Sequence, residues 1–339
     1  MKSMKPIIFI FAALFIIILM IPTILVAPFM DKTKGQLGEE LQTVKQEVPV
    51  LKEAGISIPI YRSQTQTIEN VDIEKYVVGV VASEMPAEFE SEALKAQALA
   101  ARTYIVKRLM GGEAMGSPKG TIATDTTNHQ VYKNENELKN LWGKDYERKK
   151  KKITDAVAAT QGQILTFEEK PIEAQFFSTS NGFTENSEAY WSNSFPYLKS
   201  VKSPWDKESP KFHDQVVIPI PTFEKKLGVH LSKDSSVGKI IEETPGHRVA
   251  TVEINGKKFS GKDIREKLEL KSTDFRWEIK GNQVVVTTKG FGHGVGMSQY
   301  GANFMAEDGK TYSEIVQYYY KGTKISEADP FLTKYTVKK

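Results

Sequence analysis

The sequence predicts an α+β fold: a discontinuous mixed core with an inserted smaller β-rich subdomain, preceded by one transmembrane helix. Three observations carry this. Apolar residues recur at helical spacing in Ile73, Tyr76, Val77 and Val80. Between about residues 206 and 284 that rhythm gives way to short β-like runs. An uncharged apolar stretch, Ile7 to Val26, stands near the beginning of the chain.

Taken in order, that stretch is long enough to cross a hydrocarbon core about 30 Å thick, whereas the apolar part of a signal peptide is typically about 7 to 15 residues. An uncleaved anchor at 1–30 is expected, its N-terminus cytoplasmic because Lys2 and Lys5 precede the span, although Lys32 and Lys34 weaken the asymmetry. A cleaved signal is the alternative, since Pro22 breaks the helical run and Ala27 offers a small residue. Residues 31–59, charged and Gln-rich, read as a tether, and the globular part should begin near Ile58. The core is assigned to 60–205 and 285–325, the insert to 206–284 and a C-terminal tail to 326–339.

Asp72 should cap the first core helix and Pro86 should end it at about Met85. Glu84 continues the apolar series Val77, Val80, while Glu74 and Lys75 fall on the solvent side. A carboxyl facing a low-dielectric interior keeps its proton to higher pH and suits a general acid. The alternative is a last-turn Glu whose helix rotates out of the core. A second helix, Ser91 to about Met110, is rich in alanine and stops at Gly111-Gly112. Its polar residues Lys95, Gln97, Arg102 and Tyr104 form either a solvated face or attachments toward a site.

A helix from about Asn136 to Ala159 carries the run Arg148-Lys149-Lys150-Lys151-Lys152. A solvated face is the ordinary role of such a run, attraction to an anionic polymer or lipid surface the other. Strands are expected at Gln163–Phe167 and Ile172–Phe177, the latter entering Ser178-Thr179-Ser180-Asn181-Gly182. That turn is either a hairpin or, with Tyr190 and Trp191 close behind, hydroxyl and amide groups beside aromatics that suit a sugar. Within the insert, β-like runs at Val216–Ile220, Val249–Ile254 and Val284–Thr288 flank a small helix at Asp263–Leu268.

Gly290-Phe291-Gly292-His293-Gly294-Val295-Gly296-Met297-Ser298-Gln299-Tyr300-Gly301-Ala302 is a glycine-rich loop opening a helix that should reach Ala306. A structural turn explains the glycines but leaves His293, Ser298 and Gln299 unexplained; a loop against a ligand, with Ser298 as cap, accounts for both. Neither nucleotide-loop pattern is matched. Thr311-Tyr312-Ser313-Glu314 is a capping box, and Tyr318-Tyr319-Tyr320 a packing surface. Ser236-Val237-Gly238-Lys239 fits S-x-x-K without the companion motifs of serine hydrolases.

With 339 residues and a formal charge of +4, the chain is an ordinary globular protein in composition, and nothing in it demands nucleic acid. The absence of cysteine excludes disulfides, thiolate zinc sites and cysteine nucleophiles.

The blocks Val80-Val81-Ala82-Ser83-Glu84-Met85-Pro86, Ala93 to Tyr104, Ser178 to Gly182, Pro196-Tyr197-Leu198-Lys199-Ser200-Val201 and Gly292 to Ala302 resemble the stage II sporulation protein D family and its LytB-like relatives over residues 60 to 325. The resemblance implies a membrane-anchored lytic transglycosylase of peptidoglycan, acting during forespore engulfment on glycan strands stripped of stem peptides. It implies as partners an amidase, sporulation protein P, and a membrane protein, sporulation protein M, and it places the body between mother-cell and forespore membranes. Glu84 matches the family's catalytic glutamate. The substrate-binding set expected around it is Lys95, Gln97, Arg102, Ser178, Ser180, Asn181, Tyr190, Trp191, His293, Ser298, Gln299 and Tyr300. Some relatives carry cysteines and histidines near the segment matching Thr124 to Gln130, suggested to hold zinc. Only His129 stands there in this chain, so no metal and no cofactor is expected. LytB-like relatives are described as amidase enhancers, which keeps a wall-binding protein without catalysis as the rival reading.

Overall fold

The computed structural model describes residues 50–111, 116–231 and 237–335. The expected anchor, tether residues 31–49 and Ser236 lie outside them. No helix among the described residues is long and apolar enough to cross a membrane.

Two hydrophobic clusters organise what is described, all of it within the unit Pro49–Lys339. The first begins with the antiparallel pair β1 (Ser57–Arg62) and β2 (Thr67–Asp72), joined in parallel by β3 (Ala123–Thr124). Ile56, Ile58 and Ile60 are buried, so the core starts slightly before the expected boundary at 60, and Leu51 and Ala54 already pack on it. Helix α1 (Ile73–Glu84) follows, capped by Asp72, whose carboxylate accepts the Glu74 and Lys75 amides. Met85 ends it as expected.

Helix α2 (Ser91–Gly111) runs through the centre of this cluster, and its alanines let α1 and later elements approach closely. The expected Asn136–Ala159 helix is two: α3 (Glu135–Trp142) and α4 (Tyr146–Ala158), broken at Gly143. Strands β4 (Gln163–Phe167) and β5 (Lys170–Pro171) form a hairpin. Beyond it the expected Ile172–Phe177 strand shrinks to β6 (Phe176–Phe177), because Ala174 and Gln175 leave the ladder. A short helix α5 (Ser187–Tyr190) precedes the second cluster.

That cluster contains two three-stranded antiparallel sheets. Strand β7 (His213–Pro219) leads to α6 (Ile220–Leu227), then β8 (Lys239–Glu243), β9 (Val249–Ile254), β10 (Lys257–Ser260), α7 (Gly261–Leu268), β11 (Phe275–Lys280) and β12 (Gln283–Lys289). The order β11-β12-β7 pairs the segment's two ends, His213 with Lys289, which is how an insertion returns to its point of departure. The second cluster therefore spans about 213–289 rather than 206–284, Asp206 lying within the first.

The chain re-enters the first cluster through the glycine-rich loop, β13 (Met297–Ser298) beside β6, α8 (Gln299–Glu307) and α9 (Tyr312–Tyr319), whose capping box at Thr311 and Glu314 is present. Strand β14 (Lys324–Glu327) adds to β4, and α10 (Asp329–Leu332) buries Leu332. Residues 326–335 are therefore not a free tail: the Tyr335 hydroxyl also donates to the Leu109 carbonyl.

Candidate active site

Glu84 lies at the last turn of α1, in a pocket of about 270 Å³ whose other walls include Pro86, Glu88, Trp142, Lys149 and Lys211. Its Oε1 accepts the Val131 amide at 2.7 Å, and no hydrogen bond to Oε2 occurs among the described residues. Burial raises its pKa above the ordinary carboxylate value of 4.5, opposed by the Val131 amide and then by the charge of Lys133. One oxygen is fixed and the other remains for a proton.

The wall behind Glu84 comes from a distant part of the chain. On α8, Gln299 Nε2 donates to the Glu84 carbonyl at 3.0 Å and to Gln97 Oε1 at 3.3 Å, while Asn303 Oδ1 accepts the Glu90 amide at 2.8 Å. Tyr300 meets Phe89 edge to face at 4.8 Å. The Glu84–Glu90 turn is thus clamped by α8, and Gln97, Gln299 and Tyr300 of the expected set gather here. Tyr300 also lies under the Lys211 ammonium, 5.5 Å from its ring centroid.

Other members of the set are elsewhere. Arg102 is buried, its guanidinium bound two-pronged to Glu74 at 2.8 and 2.7 Å and donating to the carbonyls of Val157, Thr160 and Gln163. It ties α1 and α2 to β4 and reaches no pocket, and Glu74, expected in solvent, is its buried partner. The face predicted from Ile73, Tyr76, Val77 and Val80 is buried, and the buried surface of α1 is wider than that stripe, taking in Glu74, Gly79 and Val81 as well. Lys95 pairs with Glu92 at 2.5 Å and leans on Tyr312, facing α9.

Ser180 and Ser298 meet at Asp206, a buried carboxylate absent from the expected set. Its Oδ1 accepts the Ser180 amide at 2.9 Å and the Ser298 hydroxyl at 2.5 Å; Oδ2 accepts the hydroxyls of Ser180 at 2.8 Å and Ser203 at 2.5 Å. Burial pushes its pKa up against these donors. Ser298 does cap α8, accepting the Gly301 amide at 3.3 Å. The Tyr300 amide is taken by the Ser178 carbonyl at 3.0 Å, so the start of α8 faces protein there. Asn181 Nδ2 donates to the Gly246 carbonyl at 3.0 Å and to Asp274 at 2.9 Å, joining the clusters rather than forming a hairpin tip.

Tyr190 and Trp191 line a second hollow, about 490 Å³, with Glu173, Gln175, Asn193 and Lys262. The His293 ring lies 5.7, 5.1 and 5.7 Å from the rings of Tyr190, Trp191 and Phe177. Burial among them, helped by the charges of Arg265 and Arg248, lowers its pKa to about 3, although part of the residue stays accessible. Its Nδ1 accepts the Val295 amide at 3.1 Å. The glycine-rich loop therefore divides: His293 packs against the aromatic rings that line the hollow, while Gln299 and Tyr300 belong to the surroundings of Glu84.

Sequence reasoning missed Val131, Trp142, Lys149, Asp206 and Lys211. Lys149 belonged to the basic run and was visible as a charge, yet it is the member that pairs with Glu88 at 2.9 Å and turns to the pocket, whereas Lys151 is a solvated residue. Val131 acts through its backbone, for which no side-chain signal exists. Among the described residues no group of three or more His, Asp or Glu is placed to hold a metal ion, and His129 Nδ1 is 2.8 Å from the Thr124 hydroxyl.

These features define a class: a mixed α+β protein with a half-buried glutamate presented at a helix end to a pocket whose wall includes two lysines and a tryptophan. The family model described as stage II sporulation protein matches residues 61–167. The chain is 55% identical to stage II sporulation protein D of Bacillus amyloliquefaciens, covering 99% of this chain and 100% of that one. It is 58% identical to stage II sporulation protein D of Bacillus subtilis (strain 168), over 95% and 96% of the two chains. An amidase enhancer of Bacillus subtilis is 28% identical over 73% of this chain and 40% of its own length. The chain belongs to the stage II sporulation protein D family.

Proposed function

We propose that this sporulation protein is a lytic transglycosylase, anchored by residues 7–26, that cleaves the N-acetylmuramic acid to N-acetylglucosamine bond of denuded glycan strands during engulfment. The observation that carries the reading is the state of Glu84: pKa raised by burial, one oxygen pinned by the Val131 amide, the other open to the pocket. The protonated carboxyl gives its proton to the glycosidic oxygen as the bond to C1 breaks. The resulting carboxylate takes the proton of the muramic acid 6-hydroxyl as that oxygen closes on C1, leaving a 1,6-anhydro end and regenerating the acid. One carboxyl serves both steps, so the second carboxylate of hydrolytic glycosidases is not required. In this reading the body lies between the mother-cell and forespore membranes, with the amidase sporulation protein P supplying denuded strands and sporulation protein M completing the assembly.

A second reading is favoured by the amidase enhancer among the relatives: a wall-binding protein that recruits or stimulates an amidase without cleaving. Mass spectrometry of products from purified denuded strands separates the two. Anhydro ends from the native protein, with Glu84→Gln slower by at least about 10² in keeping with loss of a general acid and base, are the expected result. Equal product from native protein and variant would transfer the case to the binding reading.

A further inference from the structure

The pocket of Glu84 has two lysines in its wall, and they differ in one respect. Lys149 is paired with Glu88 at 2.9 Å, whereas Lys211, exposed, has no ion-pair partner among the described residues. It is not spent on the catalytic candidate either, since the cation that acts on Glu84 is Lys133. Its ammonium is held over two aromatic faces, 5.5 Å from the centroids of both Phe291 and Tyr300. Its backbone is fixed on either side, the Lys211 amide donating to Ser209 Oγ at 3.1 Å and the Phe212 carbonyl accepting the Gly290 amide at 2.7 Å. A second lysine, Lys271, also without an ion-pair partner among the described residues, lies 5.0 Å from the same Phe291 ring. Both ammonium groups thus border the one Phe291 ring, and neither is balanced by a carboxylate in an ion pair among the described residues.

Resting on the reading of Glu84 given above, we propose that Lys211, seconded by Lys271, binds the free lactyl carboxylate of muramic acid, so that this site itself selects strands from which stem peptides have gone. The chemistry discriminates by charge. A stem peptide is joined to the lactyl group through an amide, which is neutral and bulky; its removal leaves a carboxylate that pairs with an ammonium.

The test is equilibrium binding of the detergent-solubilised full chain to two probes: denuded strands with free lactyl carboxylates, and the same strands with those carboxylates converted to methylamides. The native protein should bind the carboxylate form about five- to tenfold more tightly at low salt, the preference shrinking as salt rises. Lys211→Met, which keeps most of the apolar stem over the rings, should lose most of that preference; Lys211→Arg should keep it; Lys271→Met should lose part. A Lys211→Met variant that discriminates as the native protein does overturns the role of Lys211. Native protein that binds both probes equally overturns carboxylate recognition while leaving glycan binding intact. Binding to neither probe removes the glycan reading together with this one.

Discussion

Glu84 differs from the other carboxyls of α1 and its cap in what surrounds it. Asp72 caps the helix, Glu74 is locked to Arg102, and Glu84 alone combines partial burial with a free oxygen over a pocket. A carboxyl whose folded pKa is raised binds more protons in the native than in the unfolded state, so stability falls as pH rises through the window from about 4.5 to the raised value. Above that window the cost of the buried charge is fully present. Glu84→Gln carries no such cost. Thermal melts should therefore show the variant at least as stable as the native protein at pH 7 and without advantage below about pH 4.5. A variant that melts several degrees lower at pH 7 would mean that Glu84 is ionised and supported there, as a structural carboxylate. His293 has the opposite sign: its lowered pKa, about 3, removes stability as pH falls below the ordinary histidine value of 6.5. Acid loss beginning below about pH 6.5 and diminished in His293→Phe is the expected observation.

Among the elements, the segment around Val131 decides whether Glu84 is held, and α1 has a gap for it. A Cβ on Gly79 would lie 2.4 Å from the Tyr132 ring and 2.6 Å from the Lys133 carbonyl. Tyr132 stacks on Tyr76 at 5.3 Å, with the Arg62 guanidinium 4.8 Å from its centroid, so the ring cannot readily retreat. Gly79→Ala should gain roughly 1 kcal/mol of helix propensity and lose more, about 1–3 kcal/mol, to overpacking. Because the 131–133 segment must shift, the amide at 2.7 Å from Glu84 should move away, with activity falling about tenfold or more. Stability by denaturant and anhydro-product release measure the two effects. Unchanged activity would show that the Val131 amide does not position the carboxyl. What the sequence made legible at this scale is instructive. The cap at Asp72 and the capping box at Thr311 were readable because each is a local hydrogen-bond pattern, and the stop at Met85 because Pro86 restricts the backbone of the residue before it. The clamp of α8 on the Glu84 turn was legible as motifs and not as a contact, since more than two hundred residues separate Gln299 from Glu84. Gly79 and Val131 left no trace, because what matters there is a missing side chain and a backbone amide. Arg102 misled for the converse reason: charged side chains among alanines look the same in sequence whether they point at a ligand or at a buried carboxylate.

In the molecule as a whole, the second cluster is fastened to the first by a buried ion pair. Arg248 donates to the Gly246 and Phe183 carbonyls, both at 3.1 Å, and its Nη1 lies 3.9 Å from Glu185 Oε2, both side chains 2% exposed. Glu185 in turn accepts the amides of Gly246 at 3.1 Å and Asn186 at 2.9 Å and the Thr244 hydroxyl. The guanidinium occupies the space a side chain at Gly294 would need, its Cζ 2.5 Å from where that Cβ would stand, and Gly294 has φ +89. The latch thus rests on the glycine-rich loop that leads from His293 to Gln299, so loosening it should disturb both pockets. Arg248→Met leaves Glu185 buried without its counter-charge and should cost about 3–5 kcal/mol, whereas the double change with Glu185→Gln should recover part of that, since no lone charge remains. At roughly 2–4 °C per kcal/mol for a body of this size, the single variant should melt about 6–20 °C lower. Limited proteolysis should then cut first near 206–213, where the chain passes from one cluster to the other. A double variant no more stable than Arg248→Met would show that Glu185 is held by its amides and hydroxyl alone, and that the latch is the guanidinium's packing against Gly294 rather than the ion pair.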